Sequence, residues 1–185
     1  MTADRRSFIR HGALGLLAFH VGGVALLMEP SDARAQEVPL RVLTAAEQRA
    51  IEALGETLLP GAAVAGLAHY LDQQLAAASP DSLLMIRYLD VPPPYVEFYR
   101  PGIAALDQWA RRQHGKVFAD LTADQRVAFV EAMQKSSPEG WQAAPAPFFY
   151  FVVRSDAVDV VYGTAAGFAK LGVPYMAHIT PATDW

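Results

Sequence analysis

The chain has no cysteine in its 185 residues. That absence removes disulfides, thiolate zinc sites, cysteine-held iron–sulfur clusters and thioether-attached haem from this polypeptide. Charge is scarce too, at 18% of residues, and it leans acidic, with 15 Lys and Arg against 19 Asp and Glu. A formal net charge of -4, with basic residues scattered after the first ten positions, gives no electrostatic footprint for a phosphate backbone. Nucleic acid is therefore not an expected partner. Beyond residue 35 no apolar stretch approaches ~18 residues without a charge or a proline, so no membrane span is expected there. Apolar side chains are what the chain has in quantity, at 52% of residues. That is too many for a disordered chain and enough for a real core.

The first residues read as an address. Asp4-Arg5-Arg6-Ser7-Phe8-Ile9-Arg10 precedes an apolar run from Gly12 to Met28, followed by Pro30 and the small-residue site Ala33-Arg34-Ala35. This three-part layout is that of an export signal. The pair Arg5-Arg6, with Phe8 two positions on and a mild Gly- and Ala-rich core behind it, resembles a twin-arginine signal rather than a general secretory one. As a helix the run would reach about 25 Å at ~1.5 Å per residue, slightly short of a bilayer core. A signal removed after Ala35 is expected in preference to a permanent span. Residues 1–35 are accordingly read as the signal, and 36–185 as one domain of about 150 residues.

Within that domain the periodicity is helical. Thr44 and Glu47 have capping-box spacing, and Ile51, Leu54 and Leu58 follow on one face until Pro60-Gly61. A second helix is expected from about Ala62 to Ala78 and a short one over Asp81–Leu89, before Pro92-Pro93-Pro94 forces an extended turn. From Tyr95, the residues Tyr99, Ile103, Leu106 and Ala110 form an amphipathic stripe, and Thr122 with Gln125 repeats the capping box. The run Phe148-Phe149-Tyr150-Phe151-Val152-Val153 has no period of its own, and its neighbours favour a buried helix reaching Tyr162. The expected fold is all-α: a compact domain of about five or six helices with an irregular C-terminal tail, preceded by a signal peptide.

Chemistry-bearing patterns are few. His69, His114 and His178 are too far apart for two ligands on one helix face, and neither a nucleophile elbow nor a phosphate-cradling glycine loop appears. Asp156 and Asp159 have the spacing of paired carboxylates, but on a helix they read more simply as a polar face or an interface ion pair. No catalytic, cofactor-binding or metal-binding residue is assigned in this chain. The segment from Phe148 to Trp185 carries many aromatics and little charge, so Phe148, Phe149, Tyr162, Phe168, Tyr175, Met176, His178 and Trp185 are candidate partner contacts.

The stretches Leu43–Glu47, Thr57–Gly61 and Phe118–Leu121, and above all Asp159-Val160-Val161-Tyr162-Gly163-Thr164 with Gly167-Phe168, Leu171–Met176 and His178, resemble the gluconate 2-dehydrogenase subunit 3 family over about residues 43–185. The resemblance implies a small, non-catalytic subunit of a periplasmic sugar or sugar-acid dehydrogenase associated with the inner membrane. In such complexes a glucose-methanol-choline-type subunit carries FAD, with or without an iron–sulfur cluster, and a multihaem cytochrome c subunit passes electrons onward. The small subunit commonly bears the signal for the twin-arginine translocon and takes the folded large subunit across. Some relatives have a Gly-Gly-Asn segment and a later Trp where this chain has Tyr162-Gly163-Thr164 and Pro174-Tyr175-Met176, which leaves the substrate open. Two other classes stay in view: a stand-alone periplasmic enzyme built from Tyr162, His178 and nearby carboxylates, and a helical binding module.

Overall fold

Two threonines open helices in the way their spacing requires. Thr44 and Thr122 each accept a hydrogen bond from the backbone N–H three residues on, while Glu47 and Gln125 reach back to the cap residue's own N–H. The helices they start belong to a computed structural model that describes residues 16–172. In chain order the elements are β1 (Leu17–Val21), β2 (Val24–Met28), α1 (Pro30–Ala35), α2 (Ala45–Leu58), α3 (Leu67–Ala76), α4 (Val96–His114), α5 (Ala123–Lys135), α6 (Ala146–Tyr162) and α7 (Ala165–Lys170). Short 3-10 turns cover Ser79–Asp81, Met85–Leu89 and Phe118–Asp120.

The packing centres on α2 and α6. Helix α2 touches α3, α4, α5 and α6, and α6 in turn touches α3, α4, α5 and α7. Ile51 and Leu54 of α2, Leu67 and Leu71 of α3, Tyr99 and Leu106 of α4, and Phe149 and Val152 of α6 are wholly buried in one cluster. Gly102 lets α4 approach α6: a Cβ at that position would overlap the Phe149 ring. The aromatic cluster continues outward, with Phe98 edge-on to Tyr99 at 5.2 Å and to Phe148 at 5.5 Å between ring centroids.

The helical class is as the sequence suggests, and four local features differ from the periodic reading. The second helix starts at Leu67 rather than Ala62, because Gly61 and Gly66 both sit at positive φ (95° and 85°) and the chain turns between them. The expected helix over Asp81–Leu89 is two 3-10 turns separated by Ser82–Leu84. Side chains from other helices account for the break: Gln74 accepts from the Leu83 N–H at 2.6 Å, and Asp156 accepts from the Met85 N–H at 2.9 Å. Beyond Gly163 the chain forms one more helix, α7, capped by Thr164 on the Gly167 N–H at 3.0 Å. Lastly, part of the N-terminal apolar run is an antiparallel hairpin pairing Leu17 with Met28, turned at Gly22-Gly23. Both glycines have positive φ, as the tightest hairpin turn demands.

Candidate functional site

The two helices with the most polar interior, α3 and α6, show what the buried polar groups do. Asp156 of α6 has no exposed surface. One of its carboxylate oxygens accepts the Met85 N–H, and the other accepts the Tyr99 hydroxyl at 2.6 Å. Burial pushes its carboxyl up to about 7, against the opposing pull of those two hydrogen bonds, and the neighbouring Asp159 charge adds to the rise. Burial likewise raises the Tyr99 hydroxyl well above its ordinary value. The sequence reading of Asp156 as part of a polar surface is thus corrected: it is an interior anchor tying α6 to α4 and to the turn at Met85. Asp159, three residues on, lies exposed at the rim of a cleft, where partial burial raises its carboxyl above the usual range.

Asp72 of α3 plays the same structural part for the entry segment. Its carboxylate accepts from the backbone N–H groups of Arg41, Val42 and Leu43 at 2.8–2.9 Å, fixing the chain as it arrives at α2. His69, one turn earlier, donates from Nε2 to the Val38 carbonyl at 3.1 Å. Desolvation lowers its pKa, which holds the ring neutral. Among the described residues no group of three or more His, Asp or Glu side chains is placed to hold a metal ion, and no helix is long and apolar enough to cross a membrane.

The cleft beside Asp159 has a volume of about 310 Å³ and is lined by Leu17, Pro30, Tyr70, Leu83, Tyr88 and Thr164. Tyr70 is committed to the fold, since its hydroxyl donates to the Leu83 carbonyl at 3.3 Å. Six residues along α6 set Tyr162 about 120° around the helix from the buried Asp156.

The outer face of α6 carries an apolar stripe. Phe148, Phe151, Ser155, Val158 and Tyr162 follow one another at intervals of three and four and so form one stripe. Phe151 is 44% exposed and Val158 37%, while Phe148 and Tyr162 are partly covered. A solvated face at this spacing is ordinarily polar, and Ser155 turns its hydroxyl back to the Phe151 carbonyl at 2.9 Å rather than outward. Phe148, Tyr162 and Phe168, three of the sequence-derived contact candidates, keep some exposed surface here and on α7. Phe149 does not: it lies wholly inside beneath Gly102, because the one-residue step from Phe148 turns it by about 100° into the core. Tyr175, Met176, His178 and Trp185 lie outside the described residues, as do Arg5, Arg6 and Phe8. Sequence reasoning missed Phe151 and Val158. The signal available for Phe151 was the failure of the run Phe148–Val153 to show a polar face; Val158, beyond that run, falls on the same stripe by its spacing.

No curated protein and no solved structure matches the chain. A family profile does, over residues 45–178, which takes in α2 through α7 with the whole apolar stripe of α6. The chain therefore belongs to the gluconate 2-dehydrogenase subunit 3 family and is related to an accessory subunit of a dehydrogenase complex.

Proposed function

We propose that this chain is the non-catalytic small subunit of a periplasmic, inner-membrane-associated sugar or sugar-acid dehydrogenase. In this reading it carries the twin-arginine signal, escorts the folded FAD-bearing subunit through the translocon and stabilises it afterwards. The family match over residues 45–178 is the observation that carries the reading. The pair Arg5-Arg6 ahead of an apolar run supports the export role. A route for folded cargo suits a partner that acquires its flavin before export. Haem c belongs to a further, cytochrome subunit, since this chain has no cysteine to hold it.

The α6 stripe is the docking surface for the flavin-bearing subunit. Its apolar character fits an obligate interface, where Phe and Tyr side chains bury against a partner that is always present. The two arginines give the test. In the double variant Arg5→Lys, Arg6→Lys, this chain and dehydrogenase activity should both be lost from the periplasmic fraction and accumulate in the cytoplasm. Undiminished periplasmic activity in that variant would show that the partner travels without this chain.

A further inference from the structure

The stretch that reads as the end of an export signal is built into the domain. Ala33, within α1, has no exposed surface, and Val38 just beyond is buried with Phe19 and Met28 of the hairpin in a small core of their own. The Val38 N–H returns to the Ala33 carbonyl at 2.9 Å, closing the turn after α1. Three residues of the body hold this stretch from outside. Gly66, at a φ of 85°, leaves open the space that the Pro30 carbonyl fills, where any Cβ would overlap it. His69 donates to the Val38 carbonyl, and Glu52 of α2 faces Arg34 at 3.5 Å.

We infer that residues 29–38 are a permanent part of the folded domain, and that Ala33-Arg34-Ala35 resists processing once the chain has folded because it is held helical with Ala33 buried, although Ala35 and Gln36 are exposed. The encounter with a signal peptidase rests on the export reading above, whereas the resistance rests on packing alone. A peptidase that cuts after a small-x-small triplet has to draw that triplet, extended, into its own cleft. Here the triplet is the end of a helix packed against α3. Cutting after Ala35 requires α1 to unwind and leave α3, so its rate follows the population of that opened state. A twin-arginine cargo crosses already folded, and the triplet then reaches the peptidase in its packed form. A cut after Ala35 would remove Phe19, Met28 and Ala33 from the cluster they form with Val38 and take the Ala33 carbonyl from the Val38 N–H.

Intact mass and N-terminal sequence of the chain recovered from the periplasmic membrane fraction test this directly. The exported chain should begin at or before Glu29 and retain residues 29–38; a chain beginning at Gln36 would overturn the inference. A second arm does not depend on export: the purified full-length chain is exposed, under native conditions, to an elastase-type protease that cuts after alanine. No product beginning at Gln36 should form, and prompt cutting there would equally overturn the inference. In Gly66→Ala the crowded Pro30 should loosen and the cut should appear, with Val38→Ala as the second variant should the glycine change prevent folding. Resistance unchanged in a folded variant would show that packing is not the source of the protection. Should the chain stay in the cytoplasm, the export reading fails while the protease arm still decides this one.

Discussion

Asp156 is a carboxyl group whose burial costs more than its hydrogen bonds return, and its titration should be visible in stability. Its carboxyl sits at about 7 in the folded chain against 3.8 for the free group. Between those values the folded state holds a proton that the unfolded state has released, so stability falls as pH rises through the window. Below about 4 both states are protonated and the penalty is absent; above about 7 both are ionised and it is complete. Denaturation midpoints measured from pH 4 to 7 should therefore decline with pH, and Asp156→Asn should flatten that slope. Tyr99→Phe removes the hydroxyl donor to Asp156 and should cost about 1–3 kcal/mol in denaturant unfolding, the usual penalty for a buried acceptor left short. Neither effect was legible in the sequence, where Asp156 and Asp159 read together as one polar face of a helix. Their difference arises only when α4 and the turn at Met85 close over one of them.

At the scale of elements, what was legible is what local chemistry decides. The capping boxes at Thr44 and Thr122 appear as their spacing implies, since each needs only four consecutive residues. The break before Met85 was hidden because its hydrogen-bond partners come from Gln74 and from Asp156, the latter 71 residues away in the chain. The hairpin was hidden for another reason: an apolar run with few polar residues carries no alternation from which to read a strand. Helix α4 packs on α6 through Gly102, and Gly102→Ala should cost about 1–3 kcal/mol by overpacking against Phe149, read as a lowered melting temperature. The α6 stripe should behave in the opposite way. The double variant Phe151→Ser, Val158→Ser changes exposed positions, so the stability of the free chain should shift by no more than about 0.5 kcal/mol per site. Recovery of the flavin-bearing subunit with it should fall, by about tenfold or more if the two anchors together contribute ~1.4 kcal/mol or more. A variant whose melting temperature falls while its folded fraction still recovers the partner would place these residues in the core after all.

For the whole molecule, the buried polar groups Asp72, Gln74 and Asp156 and the neutral His69 are all engaged in holding segments of this chain together. An apolar stripe faces outward from α6, alongside other exposed apolar side chains such as Val64, Tyr88 and Leu171. The proposed role in assembly draws on that apolar face. The most direct measurement is the flavin spectrum and dehydrogenase activity of this chain purified alone, compared with the same chain co-expressed with a flavin-bearing large subunit and recovered through a tag on this chain. The account predicts no flavin absorbance and no sugar oxidation from the chain alone, with both appearing in stoichiometric amount in the co-purified complex. Flavin bound to the isolated chain, or turnover by it, would contradict the account.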